Sequence, residues 1–215
     1  MSLLTSSPPN ITTVGDLLDQ LGGISPDRVR YHPAPGTATE QDVIDIEARE
    51  NRLYELVDGV LVEKEGGYVD SFIVGLIATY LNQFVLPRKL GFVTGADGMM
   101  RLFPGLARIP DVAFVSRERL PGGRLSADPI PSLVPDLAVE VLSEGNTIRE
   151  MTRKCGEYFD AGVRLLWIVD PKARTVAVYT NPQAPTVLDQ AQTLTGDPVL
   201  PGFAVAIKSL FEELP

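Results

Sequence analysis

Cysteine and histidine are nearly absent from this 215-residue chain, which has one of each. Cys155 alone forms no internal disulfide and builds no thiolate zinc centre, so disulfide-framework and zinc-finger proteins are excluded. His32 lies in a Pro-rich stretch ahead of the presumed core, so a Ser-His-Asp or Cys-His nucleophile would depend on one badly placed imidazole. No Gly-rich loop of the Walker type occurs, which removes most ATPases, and Gly95 to Gly98 reads as a turn. Met1 to Asn10 shows no cationic stretch ahead of an apolar block, and no run approaches the length of apolar sequence that a bilayer span needs. The expectation from these absences is a cytoplasmic protein that engages no membrane. Positive charge is short as well: 19 Lys and Arg against 28 Asp and Glu give a formal net charge of −9. That balance counts against tight sequence-independent binding along many phosphates. It leaves room for carboxylates gathered around a divalent ion, which would neutralise them.

What is present suits one well-filled α/β domain, with 44% hydrophobic residues. Val14, Leu17, Leu18 and Leu21 repeat at helical spacing before Gly22-Gly23. Thr39 and Asp42 stand in capping-box spacing ahead of a second short helix. From Leu53 the pattern changes: Tyr54 to Val57 and Val60 to Glu63 flank Asp58-Gly59, a hairpin signal because both turn positions tolerate positive φ. This hairpin is expected to open the sheet. Val69, Phe72, Ile73, Leu76, Ile77, Tyr80, Leu81 and Phe84 then mark one helical stripe, which Pro87 should stop. Strands are expected at Gly91 to Thr94, Met99 to Phe103 and Val112 to Val115. Ser116 to Pro135 follows as a loop long enough to suspect function. Leu137 to Leu142, a helix over Thr147 to Ala161, and Leu165 to Val169 form a strand-helix-strand crossover onto a central mixed sheet, with Thr175 to Tyr179 as a further strand.

Chemistry is expected where charge interrupts apolar strands. Glu140 falls inside Leu137-Ala138-Val139-Glu140-Val141-Leu142, where an ionised carboxylate is costly unless paired or holding a metal. The plainer alternative is a strand-end glutamate that reaches solvent or an arginine. Asp111 follows Pro110 at the edge of the Val112 strand, where a turn aspartate is the plainer alternative. Taken together the two are more informative, because strands about 4.8 Å apart let one carboxylate from each share a cation. Asp136 and Glu140 make a poorer pair, since four residues of strand cover roughly 13 Å. Two carboxylates with water suit Mg²⁺ or Mn²⁺ and phosphoryl chemistry. Lys154, on the next helix, would add a cation beside the ion. Its alternative is an ordinary surface pair with Glu150 or Glu157.

In this order the residues resemble the Uma-type endonuclease family of the PD-(D/E)XK nuclease superfamily. The matching stretches are Tyr54 to Gly59, Ile109 to Val115, Pro135 to Ser143, Lys154, Tyr158, Gly162-Val163 and Trp167 to Pro171. The resemblance implies a restriction-endonuclease-like α/β fold, with a central mixed β-sheet flanked by helices. Residues 53–215 would form that domain and residues 1–52 a helical extension packed on it, a single domain overall. It further implies a Mg²⁺-dependent DNA endonuclease in which Asp111 and Glu140 hold the metal with the backbone carbonyl of Val141. Leu142 stands where the superfamily pattern has lysine, so Lys154 takes that role. Glu55 matches the family's early acidic position and would complete the site. Relatives carry a histidine near the start of the long helix, where this chain has Tyr68-Val69-Asp70-Ser71. DNA is the expected substrate and a homodimer the expected assembly, since two-fold symmetry matches that of the duplex. The alternative is a nuclease fold kept for binding or assembly without turnover.

Overall fold

The computed structural model describes residues 11–214; Met1 to Asn10, read above for a leader, lie outside the described residues. Asp58 and Gly59 take φ of 52° and 73° and close β1 (Tyr54–Val57) onto β2 (Val60–Glu63), with Val57 opposite Val60. Contrary to the expectation from sequence, the hairpin does not open the central sheet. It joins β4 (Met100–Phe103) and β5 (Leu106–Arg108) in a separate antiparallel sheet of order β2-β1-β5-β4. Both faces of that sheet are covered. Tyr54, Leu56 and Leu61 pack with Val43 and Ile46 of α2 (Glu40–Glu50), while Val57, Val60 and Val62 pack with Met151, Cys155 and Tyr158 of α4 (Ile148–Ala161).

The central sheet is mixed, as expected, with six strands. Its order runs β10 (Thr186–Leu188), β9 (Thr175–Tyr179), β8 (Leu165–Asp170), β7 (Leu137–Val141), β6 (Val112–Ser116) and β3 (Gly91–Thr94). Only β7 and β8 pair in parallel, joined by the α4 crossover. Alternation along the strands divides the two faces. Leu137, Val139, Val141, Leu165, Trp167 and Val169 pack against α3 (Tyr68–Arg88), whereas Ala138, Leu166 and Ile168 pack toward α4.

Helix α3 buries Ile73, Ile77, Leu81 and Val85, and runs one residue past Pro87 to an αL cap at Lys89. It corrects the expectation about apolar runs: with 21 residues and a mean hydropathy of 1.5, it is long and apolar enough to cross a membrane by length and composition. Only the stripe of Ile73, Ile77, Leu81 and Val85 lies buried on the sheet, while Phe72 and Leu86 are exposed. Beyond Tyr179, where sequence patterning gave no elements, β11 (Thr193–Gly196), β12 (Leu200–Ala206) and α5 (Lys208–Phe211) complete this layer. Phe203 stacks on Trp167 with ring centroids 5.8 Å apart. The loop after β6 is less open than its composition suggests: it forms two short 3₁₀ turns and buries Leu120 and Ile130.

The chain ahead of α2 is tied to α4. After α1 (Val14–Gln20), Gly22 takes φ of 92° and passes so close to α4 that an added Cβ would lie 2.6 Å from the Cα and N of Glu150. Thr147 donates its hydroxyl to the Gly22 carbonyl at 2.6 Å, and Arg28 grips Glu150 with two hydrogen bonds of 2.8 and 3.0 Å. Only glycine satisfies both the positive φ and the close approach. We expect Gly22→Ala to lower unfolding free energy by about 2 kcal/mol. A urea midpoint equal to wild type would refute this account of the contact.

Candidate active site

Glu140 falls on the α4 side of β7, in phase with Ala138 and opposite to Val139 and Val141, and it is 4% exposed. What meets it there is the inner stripe of α4, where Glu150, Lys154 and Tyr158 recur every four residues and so stack on one face. Lys154 Nζ lies 3.2 Å from Glu140 Oε2, and the Tyr158 hydroxyl donates to Glu140 Oε1 at 2.5 Å. From the other side comes β1: its Tyr54 and Leu56 turn to α2, so the intervening Glu55 turns to α4 and stands 3.2 Å from Lys154 Nζ. Lys154 is therefore no surface ion pair. Glu150 belongs to Arg28, and Glu157 to Arg108 and Arg153.

Asp111 precedes β6, and its backbone N–H donates to the Val139 carbonyl at 2.9 Å, which fixes it beside β7. Its Oδ2 accepts from the Val141 N–H at 2.6 Å, and its Oδ1 pairs with Lys64 Nζ at 2.8 Å. Asp111, Glu140, Val141 and Lys154 all line one small cavity of about 10 Å³, room for a single water-sized occupant. Lys64, Glu65 and Asp111 also line a larger cleft of about 580 Å³. The structure thus brings together Asp111, Glu140, Val141 and Lys154. Glu55 joins the cluster through Lys154, but its own oxygens are taken by Arg108 at 2.7 Å and by the Ile109 N–H at 3.1 Å. It holds the cations and does not extend the carboxylate pair as a third ligand.

Among the described residues, no group of three or more His, Cys, Asp or Glu side chains is gathered to hold a metal ion. At Val141 the backbone group shown at the site is the N–H that donates to Asp111, so the donors left to hold one are the Asp111 and Glu140 carboxylates. These are hard oxygen donors of the kind that suit Mg²⁺ or Mn²⁺. Asp136 is remote from it, engaged with Arg119 and Arg164. His32 is exposed against the ring of Tyr31.

Burial sets the electrostatics. It raises the Glu140 carboxyl, which the ammonium of Lys154 opposes and the carboxylates of Asp111 and Glu55 reinforce. Burial would also raise Glu55, yet Lys154 and Arg108 overcome it and hold that carboxyl well below the ordinary range. Lys154 is held firmly protonated: burial disfavours its charge, but Glu140 and Glu55 outweigh that. Burial and the same two carboxylates push Tyr158 far up, so it stays a neutral donor.

Sequence reasoning missed Lys64, Arg108 and Arg28, and assigned Tyr158 no part. The available signal was charge at the ends of apolar strands, as in Val62-Glu63-Lys64 and Leu106-Ala107-Arg108-Ile109. We expect Glu55→Gln to cost about 3 kcal/mol or more, because it strands two buried cations. A carboxyl held below its ordinary 4.5 contributes stability that is present above that pH and lost as pH falls through its lowered value. The raised Glu140 contributes with the opposite sign, so the test is the difference between wild type and E55Q. Denaturant titrations should show that difference shrinking as pH drops below about 4.5. A constant difference would refute the assignment.

Comparison with known proteins bears on the family and the fold. The family model described as "Uma2: Putative restriction endonuclease" matches residues 41–208. No curated protein matches the chain. Among solved structures, "a putative nuclease belonging to DUF820" from Anabaena variabilis ATCC 29413 superposes with a TM-score of 0.67. The identity is 22%, over 74% of this chain and 90% of that one, so the two share a fold. With more than half of its length matched by the family model, the chain belongs to the Uma2 family.

Proposed function

We propose that the protein is a Mg²⁺- or Mn²⁺-dependent endonuclease that hydrolyses phosphodiester bonds in DNA. The observation that carries this reading is the convergence of Asp111 and Glu140, from either side of the β6–β7 pairing, on one small cavity with Lys154 between Glu140 and Glu55. Family membership and the fold shared with the "putative nuclease" of Anabaena variabilis support it. When bound, the ion would polarise the phosphate and make water a nucleophile at neutral pH.

The chain's own residues supply the rest. Asp111 and Glu140 would hold the ion, each oriented by a donor on one oxygen, Val141 N–H for the first and Tyr158 hydroxyl for the second, with Lys64 and Lys154 on the other oxygens. Preorientation of this kind lowers the reorganisation needed when charge develops on the phosphate. Lys154, locked by two carboxylates, stands as the fixed positive charge beside the reacting centre. Its burial makes it a part of the fold as well, so its replacement acts on both.

The test is nicking of supercoiled plasmid, with divalent-metal titration followed by thermal unfolding. Mg²⁺ or Mn²⁺ should raise the melting temperature of wild type, and Asp111→Ala or Glu140→Ala should abolish both that rise and cleavage. Lys154→Met should lose cleavage on the order of 100-fold or more and, unlike an exposed lysine, should also lower stability by about 3 kcal/mol. Undiminished cleavage by D111A or E140A would overturn the site. Metal-induced stabilisation without cleavage of plasmid, single-stranded DNA or RNA would leave a binding protein built on a nuclease fold.

A further inference from the structure

We infer that Lys64 sets the affinity of this site for its divalent ion, because its ammonium and the ion compete for the same oxygen of Asp111. The inference rests on the metal-dependent reading above and goes beyond it in assigning a residue that lies outside the Asp, Glu and Lys of the family pattern.

Both oxygens of Asp111 already carry a partner, and Oδ1 is the one that faces an ammonium. Oδ2 accepts from the Val141 N–H at 2.6 Å, and Lys64 Nζ sits 2.8 Å from Oδ1. The cations of the cluster are not equally free to leave. Lys154 bridges Glu55 and Glu140, and Arg108 bridges Glu55 and Glu157, so moving either one takes a cation from two carboxylates at once. Among the described residues, the one ion pair of Lys64 is with Asp111, and its other bond is to the Ile109 carbonyl at 2.6 Å. Lys64 also lines the cleft of about 580 Å³, into which a flexible four-carbon stem can carry its charge and keep it hydrated.

The charge count favours such an exchange. Glu55, Asp111 and Glu140 face Lys64, Lys154 and Arg108, three charges of each sign. Adding a dication with Lys64 still in place would leave the buried group at plus two. Releasing the ammonium to the cleft leaves plus one, which a single phosphodiester then neutralises.

The experiment is calorimetric Mn²⁺ titration of the full-length protein without nucleic acid, for wild type, Lys64→Met and Lys64→Gln, with Asp111→Asn as the control that removes the ligand. Freed of its competitor, the site in K64M and K64Q should bind Mn²⁺ about tenfold more tightly, the scale on which partners of metal ligands act. The same variants should melt lower than wild type in EDTA and gain more from saturating Mn²⁺. A variant unfolded in EDTA that folds on addition of Mn²⁺ reports the same exchange. Equal or weaker binding by both variants overturns the inference and leaves the proposed nuclease standing, as does a variant that stays unfolded at saturating Mn²⁺. A wild-type protein that binds no Mn²⁺ at millimolar concentration overturns the metal-dependent reading, and this inference with it.

Discussion

The carboxylate of Glu140 is almost wholly shielded from bulk solvent: it sits on a strand in the middle of a six-stranded sheet, under a helix and a second sheet, and every part of the site exists in relation to it. Taking such a charge out of water costs several kcal/mol, and it is tolerated only where geometry and further hydrogen bonds are good. Lys154 and Tyr158 meet that need from α4, but Lys154 is itself buried and needs Glu55, and Glu55 needs Arg108, which needs Glu157. Each compensation passes to another element, until the chain of pairs reaches Arg153 near the surface. An arrangement of this kind is a poor source of stability compared with apolar packing. Its value is orientation, since no member can turn without leaving an uncompensated partner.

That dependence explains the small antiparallel sheet. Its strands have three or four residues each, too few for an independent layer, yet β1 delivers Glu55, the chain after β2 delivers Lys64 and β5 delivers Arg108, all onto one side of α4. The segment ahead of residue 41 serves the same helix from its other end. Arg28 and Gly22 clamp Glu150, one turn before Lys154, and so help to set how far α4 reaches over Glu140. The family match begins only after this clamp, at residue 41, although the clamp bears directly on the helix that carries Lys154.

Much of the frame was readable from sequence because it is written in local rules. The Asp58-Gly59 turn, the capping boxes at Thr39 and Thr147, and the strand-helix-strand run from Leu137 to Asp170 each depend on neighbours a few residues apart. Asp111 and Glu140 could be paired because a charge inside an apolar strand is conspicuous. Their partners could not: Glu55 meets Arg108 across 53 positions and Arg28 meets Glu150 across 122, and nothing local marks either pair. Leu106 to Arg108 has both faces buried and is only three residues long, so it shows no alternation to read. β10 fails for the opposite reason, with two of its three residues exposed, and β11 does alternate, but Gly196 takes one of its two buried positions and leaves Leu194 alone to carry the apolar pattern. Apolar content misled at α3, where a stripe wide enough to cover a sheet also meets the length and composition of a membrane span.

The formal charge of −9 is the observation most at odds with a nucleic-acid substrate, and the site shows why a whole-chain number decides little here. Fields that act on a phosphate are local, because exposed charges farther away than about 8 Å are largely screened at physiological ionic strength. Within the buried cluster the signs balance, three against three, so the surplus of acid lies outside it, on Glu63, Glu65 and Asp70 of the adjoining cleft and on surface residues such as Glu47, Asp160 and Glu213. A balanced site in a water-poor interior responds strongly to a single added ion, since each charge there is screened less than at the surface. Under the proposed chemistry the divalent ion is what would make the centre locally positive, so attraction for a phosphate would depend on metal binding and not on a surplus of Lys and Arg, which the sequence does not have.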